Sequence, residues 1–108
     1  MHELGLARAV VDACASRVAG ARVLRVRVEV GQLVAVEPAS LQFCFEACAR
    51  GTPVAGAALD LITIPGMAQC ETCGRTVALA APFGRCVCGG TLRILAGEEF
   101  RVKDMEIA

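Results

Sequence analysis

Four cysteines with knuckle-like spacing constrain this chain more than any other feature. Cys70 and Cys73 bracket two residues, twelve more lead to Cys86, and Val87 alone separates Cys86 from Cys88. Two such turns can surround one tetrahedral Zn²⁺ with Zn–S distances of about 2.3 Å, and Gly74 and Gly89 let the backbone fold close to the ion. The stretch "MAQCETCGRTVALAAPFGRCVCGGTLRILAG" concentrates Gly and Cys and shows no long amphipathic period. A segment of that size buries too little apolar surface to order itself, so a structural Zn²⁺ is expected to supply the folding energy. The second knuckle is one residue shorter than the usual pair, which implies a tighter bite there.

The flanking sequence is more regular. From Glu3 to about Ala19 the chain is Ala-rich, and Leu4, Ala7, Val11, Cys14 and Val18 recur at helical spacing. This predicts a helix with one buried stripe, stopped at Gly20. "VLRVRVEVG" alternates strictly, with Leu24, Val26, Val28 and Val30 on one face and Arg25, Arg27 and Glu29 on the other, so it predicts a half-buried strand. Pro38 suits a first helical turn, and Leu41, Cys44, Phe45 and Cys48 form the stripe of a second helix ended by Gly51. "ALDLITIPG" reads as a strand, and "EEFRVKDMEIA" as a last one whose apolar parity changes near Lys103 and Asp104, the mark of a bulge.

The order helix, strand, helix, strand, insertion, strand predicts an α+β fold. Its parts are a small three-stranded sheet with two helices on one face and an inserted zinc-ribbon-like domain. The expected boundaries are 1–65 with 96–108 for the α+β domain and 66–95 for the insertion.

Composition narrows the function. Lys and Arg together number eleven, as do Asp and Glu, so no net field draws the chain to nucleic acid. No apolar run approaches a membrane span and no cleavable leader is visible, so a cytoplasmic protein without membrane association is expected. Seven cysteines, an odd count, do not suggest a disulfide framework; Cys14, Cys44 and Cys48 fall on helix stripes as small hydrophobes.

The single histidine stands at position 2. A free amine on Met1, the amide nitrogen of His2 and its imidazole Nδ1 can chelate one ion through a five-membered and then a six-membered ring. No interior histidine offers that set. Near-planar nitrogen donors suit Ni²⁺ or Cu²⁺, and the Glu3 carboxylate can add a further ligand. The plainer alternatives are a solvated histidine at a frayed end and a carboxylate well placed in a first helical turn.

"MHELGLA", "VEVGQLVAVEPASLQFCFE", the four-cysteine insertion and "RVKDMEI" together resemble the HypA/HybF hydrogenase maturation proteins, essentially end to end. The resemblance implies a nickel metallochaperone rather than an enzyme. Such proteins help insert Ni²⁺ into the large subunit of [NiFe]-hydrogenase with the GTPase HypB, in some organisms also serve urease, and act as a monomer or homodimer. It also implies nickel ligands at Met1, His2 and Glu3, making the α+β domain the nickel-binding one, and zinc ligands at Cys70, Cys73, Cys86 and Cys88. Glu37 lies where some members place another acidic residue, although an acid just before Pro38 also favours a helix start. The rival functions are a zinc-ribbon adaptor for protein or nucleic acid, for which Arg75, Arg85 and Arg93 opposed by Glu71 are a weak basic set, and a thiol oxidoreductase built on Cys70 and Cys73.

Overall fold

The computed structural model describes residues 2–108. In chain order the elements are α1 (His2–Ala15), β1 (Val23–Gly31), a 3-10 turn (Gln32–Val34), α2 (Pro38–Ala49), β2 (Ala58–Ile64), β3 (Gly66–Cys70), β4 (Thr76–Leu79), β5 (Leu92–Ala96) and β6 (Phe100–Ile107). They form two compact units. The first comprises the residues up to Val28, Val36–Ile62 and Arg101–Ala108; the second comprises Glu29–Ala35 and Thr63–Phe100. No helix among the described residues is long and apolar enough to cross a membrane.

In the first unit α1 packs on α2 beside a sheet of order β2-β1-β6, the α+β arrangement expected from the alternation of patterns. The buried positions of α1 are Glu3, Ala7, Val10, Val11 and Cys14, while Leu4, expected on that stripe, is 51% exposed. The stripe holds at Ala7, Val11 and Cys14 and departs only in the first turn, where a carboxylate stands in place of the expected leucine. The helix also stops at Ala15 rather than near Ala19, because left-handed backbone at Ala19 and Gly20 turns the chain back. Val18 stays buried in that turn.

α2 follows its sequence pattern closely. Pro38 opens it, the Glu37 carboxylate accepts from the Ser40 N–H at 3.1 Å, and Leu41, Cys44, Phe45 and Cys48 face inward. Along β1, Val26, Val28 and Val30 are buried as alternation requires, but Leu24 is 47% exposed and Val23 is buried instead. At that end the Val23 N–H donates to the Pro53 carbonyl, and Val54, next in the same loop, is fully buried, so the inward packing there centres on Val23. On the polar face Arg25 reaches Asp60 of β2 at 2.7 Å and Arg27 reaches Asp104 of β6 at 2.6 Å. These pairs are over two-fifths exposed and fix register more than they stabilise.

The second unit is a sheet of order β4-β3-β5, antiparallel, with Gln69 opposite Thr76 on one side and Arg93 on the other. Its core is small: Leu33, Ala68 and Leu79, with Leu92 and Ile94 against them. Leu33 comes from the 3-10 turn, far from the cysteine segment in sequence. Its N–H donates to the Gly97 carbonyl at 2.8 Å, and the neighbouring Gln32 Oε1 accepts from the Gly66 N–H at 2.9 Å. Gly97, at φ 110°, approaches so closely that a Cβ there would meet Gly66 Cα at 2.6 Å and Leu33 Cγ at 3.0 Å.

So few large apolar side chains make each one matter. Leu33→Ala is expected to destabilise this unit by about 2 kcal/mol. Amide hydrogen exchange should accelerate at Ala68 and Ile94 while Val28 in the first unit keeps its protection; unchanged exchange at Ala68 would contradict the role given to Leu33.

Candidate metal centre

The four cysteines of the insertion come together. Cys70 closes β3, Cys73 follows one turn later, and Cys86 and Cys88 lie on the segment before β5. Their sulfurs all lie within 4.8 Å of one another, with Cys70 to Cys88 at 3.5 Å and Cys73 to Cys86 at 3.6 Å. Tetrahedral ligands at the zinc–sulfur distance would stand about 3.8 Å apart, so the set fits one ion after small adjustments. It is the one such group found among the described residues.

Both knuckles close by backbone hydrogen bonds. In the first, the Cys70 carbonyl accepts from the Gly74 N–H at 3.0 Å; in the second, the Cys86 carbonyl accepts from the Gly89 N–H at 2.8 Å. The second ring spans one residue fewer, and left-handed backbone at Gly89 (φ 87°) makes that possible. Val87, the single spacer, points to solvent at 88% exposure. The short knuckle thus still delivers both of its sulfurs.

N–H groups aim at the sulfurs too. Cys70 Sγ accepts from the Cys73 and Thr72 N–H groups, and Cys88 Sγ from the Gly90 N–H, each at 3.4 Å. These donors were not visible in the residue pattern, since any backbone supplies them once folded. The Cys73 N–H is the main reason the Cys70 thiol is lowered to about 6. Cys88 is drawn down by the Gly90 N–H, but the neighbouring sulfurs of Cys70 and Cys86, then burial and Cys73, outweigh it and push the thiol up to about 11. One sulfur ionises at another's expense. A divalent cation at the centre removes that conflict and supports every thiolate together.

The remaining cysteines sit apart from this cluster. Cys14, Cys44 and Cys48 are buried free thiols on the helix stripes, and burial pushes the Cys14 thiol up, as for an inert core residue.

At the other end of the chain, Met1 lies outside the described residues. His2 is the first residue of α1 and its side chain is half exposed. Its Nε2 lies 3.4 Å from Oε2 of Glu3. Glu3 itself is buried, and the same Oε2 accepts from the Glu37 N–H at 3.1 Å. That hydrogen bond, then the Glu3 N–H, hold the carboxyl below the usual carboxylate range against the opposing effect of burial, and His2 adds to the lowering. The Glu37 side chain is engaged in capping α2 while its N–H serves Glu3. Glu3 and Glu37 are thereby brought to one place by the two helix starts, a pairing with no signature in sequence spacing.

Two outcomes follow. Because the folded Glu3 carboxyl is lowered, its contribution is complete above the ordinary carboxylate value and is lost as pH falls through the lower folded value. Glu3→Ala should lower the Tm at neutral pH and expose the Glu37 amide to exchange, whereas Glu3→Gln, which keeps an acceptor oxygen, should retain most of that protection; equal exchange in all three proteins would contradict the tie. In the cysteine cluster, Cys70→Ser should lower bound metal, measured by elemental analysis, from about one ion per chain to a small fraction.

A family model described as HypA, hydrogenase/urease nickel incorporation, metallochaperone, matches residues 1–107. The hydrogenase maturation factor HypA of a Nostoc species is 42% identical over 108 residues, covering 99% of this chain and 96% of that protein. The protein of the same name from Geobacter metallireducens is 40% identical over 109 residues, covering 99% of each. In fold, the chain is similar to the solution structure of the Ni metallochaperone HypA from Helicobacter pylori, with a TM-score of 0.67 at 24% identity over 99% of this chain and 97% of that one. The full-length family match and these relatives show the family: the chain belongs to the HypA family of nickel-incorporation metallochaperones of hydrogenase maturation.

Proposed function

We propose that this protein carries Ni²⁺ at its amino-terminus and passes it toward the large subunit of a [NiFe]-hydrogenase, with Zn²⁺ held structurally by Cys70, Cys73, Cys86 and Cys88. The Met1 amine, the His2 amide nitrogen and His2 Nδ1 form the nickel chelate, and the Glu3 carboxylate is the further ligand. The observation that carries this assignment is the position of His2 as the first residue of α1, with Nε2 turned toward the Glu3 carboxylate. That places the imidazole and the carboxylate side by side at the chain start, and Nδ1 is the ring nitrogen able to close the six-membered ring.

The helix start helps in a second way. The first N–H groups of a helix have no intrahelical acceptor, so releasing the His2 amide proton to solvent and binding the ion in its place would break no hydrogen bond of α1. The positive end of the helix dipole also favours loss of protons from nearby nitrogen. A delivery site must select its ion and still release it. A chelate at a chain end meets both needs, because an acceptor can displace its ligands one at a time.

The division of labour follows the two units. The first carries the cargo ion and the second the resident one, whose thiolates are stabilised by backbone donors and whose loss unfolds a small core. The protein works in the cytoplasm as a carrier without catalysis, alongside the GTPase HypB.

Nickel titration into the native protein, into His2→Ala and into a version with one extra residue before Met1 tests the chelate. Both altered proteins should bind nickel at least about tenfold more weakly. Equal affinity in all three would remove the chain-end chelate.

A further inference from the structure

The outer edge of strand β6 lies beside a cleft. In the sheet β2-β1-β6 this strand has β1 on one side and no strand on the other among the described residues, so part of its N–H and C=O groups face outward. A cleft of about 490 Å³ adjoins it, lined by Ala13 and Cys14 from the last turn of α1, by Arg17 just beyond, and by β6 from Val102 to Met105. All of these belong to the first unit. Val102 and Met105 stay only half-buried. An unpaired edge with a partly apolar hollow beside it suits an added strand: main-chain hydrogen bonds hold the strand, and alternate side chains fill the hollow.

Charge decides what kind of strand fits. The acids at the end of β6 are already engaged, Asp104 with Arg27 at 2.6 Å and Glu106 with Arg25 at 3.6 Å, both on β1. The cations at the cleft are not. Arg17 and Lys103 are exposed, and neither makes an ion pair among the described residues. The carboxyl-terminal end of a helix ordinarily repels an acid. Here its carbonyls are occupied: those of Asp12 and Cys14 accept from the Ser16 and Arg17 N–H groups at 3.1 and 3.2 Å, and that of Ala13 accepts from the Ser16 hydroxyl at 3.0 Å. The two free cations therefore set the local sign.

Lys103 is the chain's only lysine, and an edge lysine normally serves to keep strands away. That defence works against strands that cannot answer the charge. A neutral strand would crowd the ammonium without pairing it, and a basic one would meet like charge. An acidic strand turns the same residue into an attraction, so Lys103 selects among strands and does not exclude them all.

We infer that the β6 edge and its cleft bind an extended acidic segment of a partner protein, added to the sheet as a strand in which apolar and acidic residues alternate. The apolar residues enter the cleft beside Cys14, Val102 and Met105, and the acidic ones answer Lys103 and Arg17. The inference does not depend on where nickel is held. NMR of the full chain with its bound metal tests it, using a capped peptide of alternating valine and glutamate. The peptide should shift the amides from Val102 to Met105 and slow their exchange, while Ala68 in the second unit stays unchanged. Lys103→Glu and Arg17→Glu alter exposed side chains and should each weaken binding by about fivefold or more, with the shifts of Val28 and Ala68 reporting an intact fold. A peptide with lysine in place of glutamate should prefer Lys103→Glu to the native protein. The acidic peptide methylated at its backbone nitrogens keeps its charge but loses its donors, and should bind at least about fivefold more weakly. No response of β6 at millimolar peptide, equal affinity for acidic and basic peptides, or indifference to Lys103→Glu would each overturn the inference. Undiminished binding of the methylated peptide would overturn it too, since the cleft would then be reading charge without adding a strand.

Discussion

One hydrogen bond, from the Glu37 N–H to the Glu3 carboxylate, sets how the amino-terminal unit is assembled. A carboxylate buried on the same helix as Ala7, Val10 and Val11 would be strongly unfavourable without a donor. The donor comes from the residue that begins α2, so the two helices are matched at their starts. At that match Glu3 is buried while Leu4 faces water, and His2 stands half exposed beside the same carboxylate. A leucine in place of Glu3 would suit the seam but would leave the imidazole without an orienting neighbour.

The second unit is governed by a different balance. Its core of Leu33, Ala68 and Leu79 is too small to hold three short strands by apolar contact alone. Four sulfurs within 4.8 Å bring back the difficulty of like charge unless a cation sits among them. The backbone N–H groups on Cys70 and Cys88 reduce that repulsion and preset the sulfurs. Under the proposed assignment the insertion would offer thiolates, two of them buried at Cys70 and Cys86, and the chain start would offer nitrogen. In the proposed carrier role, this contrast would let a resident ion and a cargo ion coexist.

Much of this was legible in the residues, and the misses have physical causes. Alternation in β1 and the stripe of α2 were readable because burial on one face leaves a period in the sequence. The burial of Glu3 in place of Leu4 was not, because periodicity cannot distinguish the two once a distant N–H makes the carboxylate cheap to bury. The spacing of Cys70, Cys73, Cys86 and Cys88 announced the cluster, and the shorter ring at Gly89 explains how a one-residue knuckle joins it. Leu33 gave no signal. Its place in the second core depends on close approach to Gly97 and Gly66, a long-range contact that leaves no local pattern.

The central claim is that nickel and zinc are kept apart by the chemistry of their donors. X-ray absorption at both metal edges, on protein loaded with one equivalent of each, tests it most directly. The account predicts a nickel shell of nitrogen and oxygen with imidazole scattering, and a zinc shell of sulfur at about 2.3 Å. Sulfur in the first shell of nickel would contradict it.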